Sequence, residues 1–90
     1  MASVLIPSQL RPDAAGAAQL WVHGETVGEV LLELSRLHPA LGRKVLDERG
    51  GVRRHVAVFV GDEDVRALDG LQTRCGERTE ITLIPALAGG

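Results

Sequence analysis

The sequence predicts an α+β fold in which a mixed β-sheet packs on one main helix. Three observations carry this: an amphipathic repeat over residues 27–37, strand-like runs on both sides of it, and an order that leaves the first and last runs free to pair in parallel. Ninety residues suffice for one domain with a modest core. Residues 1–85 therefore read as one globular unit and residues 86–90 as a flexible small-residue tail.

The first element is the β-branched run at residues 3–7. The second, residues 18–22, alternates after the small-residue stretch 13–17, which contains Gly16. Together they read as an N-terminal hairpin. A helix should begin at Thr26, because Thr26 and Glu29 have the spacing at which hydroxyl and carboxylate reciprocally satisfy free backbone amides. Val27, Val30, Leu31, Leu34 and Leu37 then form one apolar stripe, with Glu29, Glu33 and Arg36 off it, until His38 and Pro39 stop the helix. The polar stretch 40–54 reads as one irregular helical turn at residues 43–46, then a loop through Gly50 and Gly51. Residues 56–60 are a strong strand run. Residues 61–64 look like a tight turn into the short segment Val65 and Arg66, and a second turn follows at Asp69 and Gly70. Residues 80–85 form the last strand, which Pro85 helps to end because it has no amide hydrogen.

If the first and last strands lie side by side in parallel, the intervening helix supplies the crossover that such pairing needs. This arrangement is the β-grasp, although element order alone fits other two-layer α+β folds. Alternation then places Val4, Ile6, Leu20, Val22, Val56, Val58, Val60, Ile81 and Leu83 against the helix. Leu5, Phe59 and Ile84 fall on the opposite face, an apolar patch leading towards the tail and the expected partner-binding surface.

Composition narrows the function. Hydrophobic residues make up 44% of the chain against 24% charged, and the net charge of −2 gives no bias towards polyanions. With Trp21 and Phe59 its only aromatics, the chain also lacks stacking platforms for single strands, so no nucleic-acid partner is expected. A lone Cys75 allows no intrachain disulfide, which suits the cytoplasm. Neither a signal segment nor a membrane span is expected. Cys75 has no adjoining His or redox motif and reads as a small buried or semi-buried residue rather than a nucleophile. His23, His38 and His55 are scattered, so no metal site is expected. Asp62, Glu63 and Asp64 read as a solvated turn. The basic cluster Arg49, Arg53, Arg54 and His55 reads as loop charge that could steer an acidic partner.

The ending Ile84, Pro85, Ala86, Leu87, Ala88, Gly89, Gly90 resembles that of the MoaD/ThiS family of ubiquitin-like sulfur carriers, which finish in an apolar strand, a proline and a free Gly-Gly. Leu5, Ile6 and Pro7, then Leu10, Arg11 and Pro12, and the block 58–66 extend the likeness, most closely to the CysO-like carriers of a bacterial cysteine-biosynthesis route. The polar loop 43–54 and Trp21 depart from that pattern.

The resemblance implies that an E1-like enzyme uses ATP to adenylate the Gly90 carboxylate, and that sulfur then replaces AMP to leave a thiocarboxylate. The chain itself would catalyse nothing and bind no cofactor. An accepting biosynthetic enzyme, cysteine-synthase-like in the CysO-like case, would take the sulfur, and a metalloprotease would later release cysteine. The residues agree chemically. A carboxylate is a poor electrophile until it carries a phosphoryl leaving group, and the slim tail Ala86, Leu87, Ala88, Gly89 and Gly90 suits insertion into a narrow enzyme channel. Two other readings stay open here: a protein modifier joined through Gly90 to lysine, and a ubiquitin-like interaction domain whose tail does no chemistry.

Overall fold

The computed structural model describes residues 1–85. Ala2–Leu5 (β1), Gln19–Val22 (β2), Val56–Val60 (β3), Glu63–Asp64 (β4) and Glu80–Pro85 (β5) form one sheet in the order β2-β1-β5-β3-β4. β1 and β5 run parallel in its middle, and the other pairs are antiparallel. Helix Val27–Leu37 (α1) covers one face, with a shorter helix, Pro39–Val45 (α2), packed beside it. This is the β-grasp arrangement.

α1 starts where its cap predicts. The Thr26 hydroxyl accepts from the Glu29 amide at 3.2 Å, while the Glu29 carboxylate accepts from Glu25 N at 2.9 Å, one residue before the expected partner. Around the cap the chain forms an isolated antiparallel bridge at Thr26 and Arg74, bonded through Val27 N to Thr73 O and Cys75 N to Glu25 O. Val27, Val30, Leu31 and Leu34 are buried, as the stripe requires. Leu37 is not: it is 47% exposed in the last turn, where the chain swings into α2.

The core joins that stripe to Val4, Ile6, Val22, Val56, Val58, Ile81 and Leu83 of the sheet layer, all buried. Leu20 and Val60, also expected inside, are half-buried and pack against the core from its margin.

Three expectations need correction. The link between β1 and β2 is not a plain hairpin turn: Ser8–Ala14 is a 3₁₀ segment that buries Leu10 and Ala14. Lys44 Nζ reaches the solvent-shielded Asp13 Oδ2 at 2.7 Å, tying that segment to α2. Second, the irregular turn expected at residues 43–46 is the end of α2. Pro39 stops α1 and also opens α2, because at a first helical position its missing amide hydrogen costs nothing. Third, the turn after β3 is only Gly61 and Asp62; Glu63–Asp64 pair back as a strand, and Val65–Ala67 is a 3₁₀ turn. Gly61 adopts φ 59°, the left-handed conformation such a two-residue connection needs.

Gly42 marks the crossing of the two helices. A Cβ there would lie 2.7 Å from Ser35 Cα, so the helices touch where neither can yield alone. Gly42→Ala should therefore cost about 1–3 kcal/mol of stability by overpacking. Leu34→Ala should cost about 2–5 kcal/mol through the cavity it leaves. Leu37→Ala, at an exposed site, should stay within roughly 0.5 kcal/mol. Urea unfolding of the three variants checks the ranking.

Candidate functional site

The sheet face turned away from α1 is assembled by register. Leu5 on β1 lies opposite Thr82 on β5, Thr82 lies opposite Phe59 on β3, and Ile84, two residues further along β5, pairs with Ala57. Paired residues share a face and residues two apart return to it, so Leu5, Phe59 and Ile84 come together as expected. Leu5 and Phe59 are half-buried, whereas Ile84 is 46% exposed. Gln19 extends the Leu5 row onto β2.

Trp21 belongs to this face as well, although the sequence reading treated it only as a departure. It pairs with Ser3, which pairs with Glu80, and it stands 58% exposed on the outermost strand. The signal was available: Gln19 and Trp21 have the same parity in β2 that Ser3 and Leu5 have in β1.

Because β1 and β5 run parallel, both finish at the same end of the sheet, and Ile84 and Pro85 stand there between two depressions. On the β1 side is an open groove of about 520 Å³ lined by Leu5, Pro7, Arg11, Gln19, Ile84 and Pro85 among others. Arg11 Nε donates to the Ile6 carbonyl at 3.0 Å, which fixes one wall. On the β3 side, Arg54, His55, Ala57 and Arg66 line a smaller depression, of about 230 Å³, against Ile84. The proposed tail residues Ala86, Leu87, Ala88, Gly89 and Gly90 lie outside the described residues.

The electrostatics are local. Asp64 accepts from Arg66 Nη2 at 2.6 Å and from the Arg66 amide at 2.9 Å, and these bonds hold its carboxyl below the usual range. Glu33 is likewise lowered by the Arg36 guanidinium one turn along α1. Burial pushes the Cys75 thiol up, which disfavours the thiolate that reactivity needs. Among the described residues, no group of three or more His, Cys, Asp or Glu side chains could hold a metal ion. No helix among them is long and apolar enough to cross a membrane.

The sequence model of the ThiS family matches residues 4–90. The chain belongs to the ThiS family. It is 34% identical to the sulfur carrier protein CysO of Mycobacterium tuberculosis over 90 residues, 98% of this chain and 97% of that protein. Its fold is similar to a chain in the crystal structure of the Amycolatopsis orientalis BexX/CysO complex, with a TM-score of 0.90, 31% identity and full coverage of both chains. It is also similar to the small archaeal modifier protein 1 of Methanosarcina acetivorans, with a TM-score of 0.84 and 30% identity over 99% of this chain and 95% of that one.

The geometry separates surface residues from structural ones. Trp21→Ala and Ile84→Ala should each leave stability within about 1 kcal/mol. Thr26→Ala should lose roughly 1 kcal/mol with its cap bond. Cys75 should alkylate more slowly with iodoacetamide at neutral pH in the folded chain than in urea, as timed by mass spectrometry.

Proposed function

We propose that this member of the ThiS family is a sulfur carrier that works through the carboxylate of Gly90. The observation that carries the reading is the family match through residue 90, joined to likeness to CysO over nearly the whole chain. In the first step the carboxylate attacks the α-phosphorus of ATP on an E1-like enzyme; pyrophosphate leaves and an acyl adenylate forms. A sulfur nucleophile then adds to the activated carbonyl and expels AMP, leaving a thiocarboxylate. An accepting biosynthetic enzyme takes the sulfur, into cysteine in the CysO-like case or otherwise into a sulfur-containing metabolite or cofactor. In the cysteine route a metalloprotease completes the cycle.

The chain's own contribution is presentation. Residues 1–85 supply a stable body, and the outer face of Leu5, Phe59 and Ile84 supplies the grip that aligns the tail, Ala86 to Gly90, with the enzyme's nucleotide site. Glycine at the last two positions offers no side chain to obstruct that approach. ATP belongs to the activating enzyme, and the carrier enters as its co-substrate.

A second reading, conjugation to lysine, is favoured by the likeness to an archaeal modifier. Both roles share the adenylate and diverge afterwards. Incubation with a ThiS-activating enzyme, ATP and a sulfur source should raise the carrier's mass by the difference between sulfur and oxygen. Deleting Gly90, or adding one residue after it, should abolish that gain. Isopeptide adducts on lysine, formed with no thiocarboxylate, would establish the modifier instead. Full biological activity of the Gly90 deletion would remove both.

A further inference from the structure

Beside the outer face lies a second feature that the carrier reading leaves unused. A cleft of about 380 Å³ opens between the start of β3, the 3₁₀ turns after β4 and the segment just before β3. Its floor is apolar, formed by Val56, Val58, Val65 and Leu71, and its rim carries Arg53, Arg54 and Arg66. The smaller depression that shares Arg54 and Arg66 joins it to Ile84 and so to the outer face.

The three arginines differ in their commitments. Arg66 is paired with Asp64, the acidic residue that lines the cleft. Arg53 donates through Nε to the Arg43 carbonyl at 2.6 Å; this fixes its side chain but neutralises none of its charge. Arg54 is exposed and makes no ion pair or side-chain hydrogen bond among the described residues. Arg54 thus leaves uncompensated positive charge on the rim of a chain whose net charge is −2, while Arg53 also borders a depression it shares with Asp47, Glu48 and Arg49. Apolar floor and cationic rim together match a carboxylate-flanked apolar side chain. A phosphate polymer would satisfy the rim and leave the floor wet.

We propose that the cleft docks an acidic segment of the activating enzyme, seating one apolar side chain on Val56, Val65 and Leu71 while neighbouring carboxylates meet Arg54 and Arg53. The proposal rests on the carrier reading and names a contact beyond it. Continuity with Ile84 lets one enzyme cover the outer face and the cleft at once, on the side of the sheet where β5 ends. Attraction at the rim guides encounter and orientation, while the apolar anchor holds the bound complex.

The test uses the full chain and a ThiS-activating enzyme, with affinity measured by titration without ATP and turnover by pyrophosphate exchange. Arg54→Glu should weaken affinity and raise the KM for the carrier by about tenfold at low salt with kcat unchanged, and the gap should close as salt screens the rim. Arg54→Lys should restore most of the loss. Arg78→Glu makes the same charge change in the loop preceding β5, at the far end of that strand from Pro85, and should have little effect. Equal effects of Arg54→Glu and Arg78→Glu, or no effect of either, would overturn the proposal. So would saturation of the cleft by inorganic phosphate alone, seen as amide shifts at Arg54 and Val65, since it reassigns the rim to a small anion. Titration and exchange separate the two ideas: Arg54-dependent binding without exchange sinks the carrier reading and leaves the docking contact standing, whereas exchange indifferent to Arg54 does the reverse.

Discussion

β1 and β5 meet at Ser3 with Glu80, Val4 with Ile81 and Leu5 with Thr82, a contact between segments separated by most of the chain. Parallel pairing cannot close through a tight turn, so everything between those strands has to travel over one face and return. α1 makes that journey and buries its stripe on the way. β5 also pairs with β3 on its other side, and β4 folds back on β3. The central pair is therefore the contact of greatest sequence separation among the strands, and with β3 it sets where the final strand points. A pairing of such high sequence separation costs loop-closure entropy before it returns any burial. Val4 and Ile81, both fully buried in that pair, offset the cost directly.

Division of labour between the two faces follows from the same pair. The inward residues Ile81 and Leu83 of β5 are buried under the helix layer, and of the outward ones Glu80 and Ile84 are exposed while Thr82, between β1 and β3, is half-buried. Stability is thus invested on one side, and the proposed role leaves recognition to the other. An outward substitution near Ile84 costs folding little, whereas an inward one at Ile81 or Leu83 opens a cavity. The two depressions flanking Ile84 differ in character, one walled by Arg11 and Gln19 and the other by Arg54, His55 and Arg66. A partner that reads both would fix its orientation about the β5 axis, which a flat apolar patch alone would leave loosely defined.

Much of this was legible in the residues, for reasons that also explain the failures. Strong periodicity and capping chemistry identified α1, β3 and β5, since Thr26, the stripe at Val27, Val30, Leu31 and Leu34, and the run at 56–60 each obey a single local rule. Elements whose local preference is weak were lost. Residues 8–14 contain Pro12 and no apolar repeat; their 3₁₀ geometry is held by burial of Leu10 and Ala14 and by the Lys44 contact to Asp13, all tertiary. α2 is short and hides behind Pro39, which is as easily read as a stop as a start. At the site, parity alone found Leu5, Phe59 and Ile84, and the same parity would have found Trp21. The cleft beyond β4 was not accessible to that reasoning, because it gathers residues 52–71 through turns whose geometry depends on contacts distant in sequence.

The proposed role sets a conflict: the group undergoing chemistry must be slim and unobstructed, yet a slim peptide offers little surface to distinguish one enzyme from another. In that role the β-grasp body separates the two tasks along β5, whose early residues pair with both β1 and β3 while Ile84 and Pro85 pair with β3 alone. In the proposed role selectivity among partners comes from the body, since a Gly-Gly ending has no side chains by which one chain could be told from another. In this chain the body features that can supply such individuality are Trp21 on the edge strand and the arginine-rimmed cleft. They lie on opposite flanks of the sheet, so two partners could recognise the same tail while gripping different sides of the protein that presents it.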